Sequence, residues 1–174
     1  MRLKLDLNGI VVQLKVNGYV PSNRKIWDDQ WCYVDYSFTS GSWLNYVKKS
    51  DSVWLSCEIE ELNKMLHKLL NDELSERKIV DFIEPDFEFT LQPKRDLRQD
   101  SRYSYVAEGH EWVDIYTDWT VKFWNEGLTD NYLSVTLGRE DIELLALYLD
   151  LVIGKISVNS TEIQKLIAGG HLSD

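Results

Sequence analysis

Residues 27–38, WDDQWCYVDYSF, contain the pattern that decides the fold. From Trp31 onward every second side chain is suited to a core, and the side chains between them are mostly aromatic or polar. Alternation with a period of two predicts a β-strand with one face turned to the interior. The core face is assigned to Cys32, Val34, Tyr36 and Phe38, and the outer face to Trp31, Tyr33, Asp35 and Ser37.

The same alternation returns at residues 112–123, again with one apolar side and one aromatic, acidic side. The inner side chains there are Val113, Ile115, Trp119, Val121 and Phe123. Carboxylates attract basic partners, and Trp and Tyr dominate the energetics of interfaces. The two outer faces therefore predict a partner-binding surface. Its residues are Trp31, Tyr33, Asp35, Trp112, Asp114, Tyr116 and Asp118.

A second interpretation of the aromatic side chains stays open. Trp27, Trp31 and Trp112 can also pack beneath a loop as cross-strand aromatics. If residues 93–110 or the C-terminal tail cover them, the binding surface has to be sought among the carboxylates of residues 58–88.

Local signals around these strands predict a hairpin and three helices. Residues 7–10, Leu-Asn-Gly-Ile, fit a type I′ turn, whose two-residue loop fixes the pairing of the strands. Apolar residues at helical spacing predict helices at 56–71, capped by Ser56, and at 139–153. The spacing from Thr161 to Gln164 fits a capping box and predicts a short helix at 162–168. The predicted hairpin pairs are Leu3–Leu14, Leu5–Val12 and Leu7–Ile10.

These elements predict a single α+β domain over residues 1–174. It should be a mainly antiparallel β-sheet with two principal amphipathic helices packed on one face. Residues 93–110 are predicted to be a mobile loop or an insertion. Residues 155–174 are predicted to be a tail with a short helix, fraying near His171. The face beneath the helices should carry Leu5, Val12, Val34, Phe89, Ile115 and Val135.

Charge and cysteine content limit the classes of partner and compartment. The formal net charge is −10, which disfavours nucleic acid and anionic membranes because both are bound through Lys and Arg. Cys32 and Cys57 do not make a disulfide framework. The first residues lack the apolar stretch of a secretory leader, so a cytoplasmic location is expected.

Motifs for catalysis, metal binding and cofactors are missing from the sequence. It contains neither a Gly-rich phosphate loop nor a G-x-S-x-G elbow. His110-Glu111 is followed by Asp114 where a zinc-protease helix would carry its second His. Cys57 near a helix start could have a lowered pKa, although a packing role is favoured. No catalytic residue, metal or cofactor is therefore predicted.

Four motifs follow one another along the chain. Gly18-Tyr19 leads to the Trp27–Trp31 segment, Leu55 enters a helix that carries Glu60-Glu61-Leu62, and residues 82–89 are FIEPDFEF. A closing strand then runs into a terminal amphipathic helix. The order and spacing resemble the WapI-type immunity proteins of bacterial toxin systems over about residues 3–153. The sequence departs from that pattern at 93–110 and after Gly154.

The resemblance implies a small, non-catalytic cytosolic protein that binds and neutralises a toxin, often a nuclease. A nuclease is usually basic, which fits a protein partner for this acidic chain. Two other hypotheses stay open. A pocket of several hundred Å³ would favour a small-ligand domain for a carbohydrate or nucleobase. Two carboxylates that converge in a cleft, one with a raised pKa, would favour an enzyme.

Overall fold

The computed structural model describes residues 1–21 and 30–174, and within them the chain forms strands, three α-helices and one short 3₁₀ helix. Trp27, at the start of the quoted stretch, lies outside the described residues. The strands are β1 (Arg2–Leu7), β2 (Ile10–Asn17), β3 (Trp31–Ser40), β4 (Leu44–Leu55), β5 (Lys78–Asp81), β6 (Phe87–Gln92), β7 (Arg95–Asp96), β8 (Trp112–Val113), β9 (Tyr116–Trp124), β10 (Leu128–Leu137) and β11 (Leu172–Ser173). The helices are α1 (Ser56–Leu70), α2 (Arg139–Val152) and α3 (Thr161–Ala168).

The described strands form two sheets and a small hairpin. Sheet 1 has the order β11-β1-β2-β3-β4, sheet 2 has the order β10-β9-β6-β5, and β7 pairs with β8. Every pairing is antiparallel. The predicted α+β class with mainly antiparallel sheet is therefore confirmed.

The apolar faces of the two sheets meet in an aromatic cluster around Trp119. Its ring centroid lies 5.2 Å from that of Phe38 in sheet 1 and 5.0 Å from that of Phe89 in sheet 2. Tyr36 and Phe87 meet across the sheets at 4.7 Å. Trp119 is 0% exposed, which confirms its assignment to the core.

The helices close the core between the sheets. The two principal helices, α1 and α2, contact each other, and each of them contacts both sheets. α1 touches β4 and β6, and α2 touches β1, β9 and β10. The sequence predicted one sheet with the helices on one of its faces, whereas the strands divide into two sheets. The six side chains expected on that face all lie in one core cluster. They are Leu5, Val12 and Val34 in sheet 1, Phe89 and Val135 in sheet 2, and Ile115 just before β9.

The β1–β2 hairpin has the predicted register and turn. All three expected pairs are present. Asn8 and Gly9 have φ angles of 54° and 87°, the left-handed values that a type I′ turn requires.

Replacing Gly9 with Ala should lower the free energy of unfolding by about 1 kcal/mol, because a Cβ is strained at this φ. Gly9→Asn is the matched control, since Asn tolerates the left-handed region better than Ala does. Urea denaturation of both variants measures the difference. A loss for Asn as large as that for Ala would contradict the conformational explanation.

The start of α1 differs from the prediction that Ser56 caps it. Ser56 is already helical and buried, and the capping position is Leu55, whose side chain has no acceptor. Glu58 stabilises this end instead: one carboxylate oxygen accepts from the Leu55 N–H at 2.8 Å. The other oxygen accepts from the Ile83 N–H at 2.8 Å. Glu58 thus ties the helix to the turn before β6.

The C-terminal segment also differs from its prediction. The cap of α3 is Ser160 rather than Thr161, because the Ser160 hydroxyl accepts from the Ile163 N–H. The expected fraying is wrong, since Leu172 pairs with Leu3 in β1 and the Lys4 N–H donates to the His171 carbonyl at 2.8 Å. The tail therefore completes the edge of sheet 1.

Three segments have more structure, or different breaks, than the sequence pattern indicated. Residues 72–85, interpreted as irregular, contain β5. Residues 93–110 contain β7 and a 3₁₀ turn at Leu97–Gln99, while their mobility stays a prediction. The single strand expected at 111–124 is interrupted at residues 114–115, between β8 and β9. In the described parts of the chain, no helix is both long and apolar enough to cross a membrane.

Candidate functional site

The structure divides the predicted binding surface between the two sheets. Trp31, Tyr33 and Asp35 lie on β3 in sheet 1, whereas Tyr116 and Asp118 lie on β9 in sheet 2. The inner side chains of these two strands face each other across the core. The outer side chains consequently point away from each other, so the seven residues do not form one continuous surface.

The sheet 1 half of the predicted surface has mixed charge. Asp35 is the register partner of Lys15 on β2, and its carboxylate accepts from the Ser50 N–H at 2.8 Å. Arg2 and Lys4 alternate with buried leucines on the same outer face. Tyr33 is 52% exposed, but its neighbours offer little attraction to a basic partner.

Trp112 and Asp114, which precede β9, lie beside basic side chains that partly neutralise the negative charge there. The Arg139 guanidinium donates to both Asp114 oxygens at 2.7 and 2.9 Å, and these hydrogen bonds lower the pKa of Asp114 to about 2. The ammonium of Lys94 lies 5.2 Å from the centre of the Trp112 ring, a cation–π distance. Trp112 is nevertheless 55% exposed and remains a candidate interface anchor.

The outer side of sheet 2 carries more negative than positive charge, and we call it the acidic face. Asp118 pairs across the strands with Thr90, and Asp81 pairs with Glu88. Lys122 is the one basic residue among the register-paired positions of this side. The face includes two rows of neighbours and two further pairs: Ile79, Thr90, Asp118 and Thr136; Asp81, Glu88, Thr120 and Ser134; Gln92 and Tyr116; Lys122 and Tyr132.

Hydroxyl groups hold part of the acidic face in place. The Thr136 hydroxyl donates to Asp118 at 2.8 Å, and the Thr120 hydroxyl donates to that of Ser134 at 3.3 Å. The register neighbours of Asp118 are Thr90 and Thr136, so no basic side chain is paired with it across the strands. Asp118 therefore lies on the outer side of β9, where the sequence pattern placed it.

An open groove that the sequence did not indicate lies beside α1 and α2. It has a volume of about 840 Å³. Among the described residues its lining mixes both signs of charge, and the rings that line it belong to Tyr19 and His67. The Tyr19 hydroxyl donates to Glu60 at 2.8 Å, and His67 lies 2.8 Å from Asp150. The part of its lining that the structure describes shows no stacked aromatic walls of the kind a carbohydrate or nucleobase site would have.

Beneath this groove lies a buried polar network between the helices. Asn63 donates from its amide nitrogen to Asp150 at 3.0 Å and to the Ala146 carbonyl at 3.2 Å. Its amide oxygen accepts from the Lys155 ammonium. The sequence signal for this network was the position of Asn63 and Asp150, which are polar residues within the apolar stripes of α1 and α2.

A smaller cavity of about 250 Å³ lies between the start of α1 and β5. Burial raises the pKa of Glu58, helped by Glu84 and Asp81, against the hydrogen bonds from Leu55 and Ile83. A carboxylate with a raised pKa, near other carboxylates in a cavity, is part of what the enzyme hypothesis requires. However, both Glu58 oxygens already accept backbone N–H groups, which assigns it a structural role. The cavity is lined by Cys57, Glu58, Glu61, Val80, Asp81 and Phe82.

A second perturbed carboxylate belongs to the core. Asp86 is buried and accepts from the Tyr36 hydroxyl at 2.9 Å. Burial raises the pKa of Asp86, the Tyr36 hydrogen bond opposes this, and Asp51 adds to the rise. Because the charged form is disfavoured in the folded state, Asp86 makes stability depend on pH.

Asp86→Asn should remove this dependence. Protonated Asp86 contributes stability fully below its unfolded pKa of about 3.9, and that contribution is lost as pH rises through the raised folded pKa. The side chain of the variant stays neutral. Its free energy of unfolding, relative to that of the wild type, should therefore rise by on the order of 1 kcal/mol between about pH 4 and pH 7.

The control for this prediction is Tyr36→Phe, which removes a hydrogen bond that favours the carboxylate. It should make the loss of stability with rising pH larger. Urea denaturation at the two pH values measures both effects. A pH-independent difference between Asp86→Asn and wild type would contradict the assignment.

The cysteines and the candidate metal ligands show no arrangement for chemistry. Both Cys32 and Cys57 are free thiols. Burial raises the pKa of Cys57, so the alternative of a lowered pKa is wrong. Among residues 1–21 and 30–174, no group of three or more His, Cys, Asp or Glu side chains could hold a metal ion.

Comparison with known families identifies the family of this chain, which the geometry alone does not give. A model described as the immunity protein WapI-like family matches residues 2–157. The match contains both principal helices and every described strand except β11, whereas α3 and β11 lie outside it. No curated protein matches the chain at a significant level. Because the family model spans most of its length, the chain belongs to the immunity protein WapI-like family.

Proposed function

We propose that this chain binds a cognate protein toxin and neutralises it by occlusion, without catalysis of its own. The observation that carries the proposal is the family match over residues 2–157, because an immunity protein family indicates a toxin-neutralising role. Occlusion needs only a surface that is complementary to the toxin.

The toxin is proposed to be basic, and a nuclease is the class that fits best. A nuclease holds phosphates with Lys and Arg, and an acidic inhibitor can compete for the same side chains. The net charge of −10 would also accelerate association with such a partner.

The toxin-binding surface is proposed to include the acidic face and the nearby Trp112. Of the seven residues predicted from sequence, Tyr116 and Asp118 lie on sheet 2, and Trp112 is exposed close by in sequence. Asp35, beside Lys15, is left outside the proposed surface. Glu88 and Asp81 join it because they neighbour Thr120 and each other in the sheet.

A small-ligand function is supported less well. The groove beside α1 and α2 is large enough, but charged side chains line it, and the two rings in its described lining, Tyr19 and His67, are both engaged with carboxylates. Ligand sites usually present only a few polar groups, whereas six of the described residues that line this groove are charged. The acidic face, which spans four strands of sheet 2, fits a protein partner better.

Co-expression with the product of the adjacent reading frame tests the function. That product alone should arrest growth, and this chain should restore it. Arrest that persists while the chain is folded and abundant would refute the immunity proposal.

A charge-reversal pair tests the surface. Glu88→Lys combined with Asp118→Lys should slow association with the toxin by about tenfold at low salt. Glu143→Lys combined with Glu162→Lys is the control, since both residues are exposed on helices and change the net charge equally. Equal slowing by both pairs would mean that net charge, and not the acidic face, directs binding.

A further inference from the structure

The last strand of sheet 2, β5, has one side without a strand partner among the described residues. β5 pairs only with β6 in the sheet order, and none of the described backbone hydrogen bonds outside the sheets involves residues 78–81. In an antiparallel edge strand, alternate residues direct their N–H and C=O groups outward. Such an edge can accept an added strand from another chain.

Apolar side chains are exposed along this edge and at its end. Ile79 is 45% exposed and Ile83, in the following turn, is 53% exposed. Phe82 lies between them, half-buried against Trp54 and Phe89. Two exposed isoleucines beside an open strand edge would give an added strand apolar contacts as well as backbone hydrogen bonds.

The cavity beside β5 provides a place for one side chain of that strand. Val80, Phe82 and Cys57 contribute apolar surface, while carboxylates of Glu58, Glu61 and Asp81 line the same space. Its volume of about 250 Å³ suits a single long side chain. An apolar stem with a cationic head matches such walls.

The charges around the cavity favour a cation. Glu58 accepts two backbone N–H groups, so its negative charge is hydrogen-bonded but not paired with a cation in the described contacts. Glu61 is paired with Lys64 at 3.0 Å, but both side chains are exposed. Exposed pairs are weak and readily exchanged. Asp81 also pairs with Glu88, so the cavity and the acidic face have Asp81 in common.

We propose that the toxin adds an extended segment to the free edge of β5 and inserts one Lys or Arg side chain into this cavity. The proposal rests on the function proposed above and names the part of the toxin that is recognised. The isoleucines contact apolar residues of the same segment, and the acidic face contacts the basic surface that flanks it.

Binding of the purified toxic domain from the adjacent reading frame tests this geometry. Glu61→Lys combined with Asp81→Lys should raise the dissociation constant by about 100-fold, and Ile83→Ser by about tenfold. Glu143→Lys combined with Glu162→Lys should change it by less than about threefold, after allowing for the equal change in net charge. Glu58 is left intact because it stabilises the start of α1, and thermal unfolding confirms that each variant is folded.

Hydrogen exchange provides a readout of the strand addition itself. In the complex, the outward amides of β5 should exchange at least about tenfold more slowly than in the free chain. Binding that leaves β5 amides and the β5 variants unaffected would overturn the inference while the toxin-binding function stands. Absence of binding by the wild-type chain would overturn both. A dimer of the free chain that protects the same amides would show that a second copy, not the toxin, occupies this edge.

Discussion

Trp119→Ala should lower the free energy of unfolding by about 3–5 kcal/mol. The indole is completely buried and packs against Phe38 of the opposite sheet and against Phe87 and Phe89 of its own sheet. Its removal takes away contacts within sheet 2 and across the core, and the surrounding rings cannot fill the space without moving backbone. A loss of this size is a large share of the total stability of a small domain.

The control for this substitution is Trp112→Ala, which removes the same side chain from a surface that is 55% exposed. It should cost about 0.5–1 kcal/mol, since it loses only its cation–π contact with Lys94 and partial burial. Guanidinium denaturation of the two variants measures the difference. Similar losses for both would mean that Trp119 does not connect the sheets in the way described.

Asn63→Ala should lower the free energy of unfolding by about 2 kcal/mol. Asn63 is 0% exposed and satisfies Asp150, Lys155 and the Ala146 carbonyl together. Without it, the buried Asp150 carboxylate keeps His67 and Lys155 but loses a donor inside the helix interface. An unsatisfied buried polar group carries the full cost of its lost hydration.

The neighbouring Lys64→Ala is the control, because Lys64 is on the same helix but exposed. It should change stability by no more than about 0.5 kcal/mol. A double variant, Asn63→Ala with Asp150→Ala, should cost less than the sum of the two single changes, since the partners share one network. Additive losses in urea denaturation would show that the two residues stabilise the fold independently.

Local structure was predictable where turn chemistry and periodicity agree. The β1–β2 register follows from Asn8-Gly9 and the alternating leucines, and α1 and α2 follow from their apolar stripes. Periodicity also placed Trp119 inside, but it does not specify which element a buried face packs against. The division into two sheets was therefore not accessible. β5 and β11 are too short, at four and two residues, for alternation to be detected.

The candidate site was predictable only in part, because its residues come from distant segments. The alternating pattern correctly placed the side chains of Asp118 and Trp112 on the outer side. The neutralisation of Asp114 by Arg139 did not follow from it, since 25 residues separate the two. Asn63 and Asp150 interrupt apolar stripes, and this signal was available. Their meeting across two helices depends on the tertiary fold.

The pairing of β11 with β1 has a consequence for folding during synthesis on the ribosome. β2 can pair with β1 as soon as both have emerged, through a two-residue turn. The other edge of β1 stays open until Leu172 and Ser173 have been made, long after β2. During that interval the nascent chain exposes an open strand edge, the kind of edge that invites aggregation. β1 is therefore covered on both edges only once residues 172–173 have left the ribosome and paired with it.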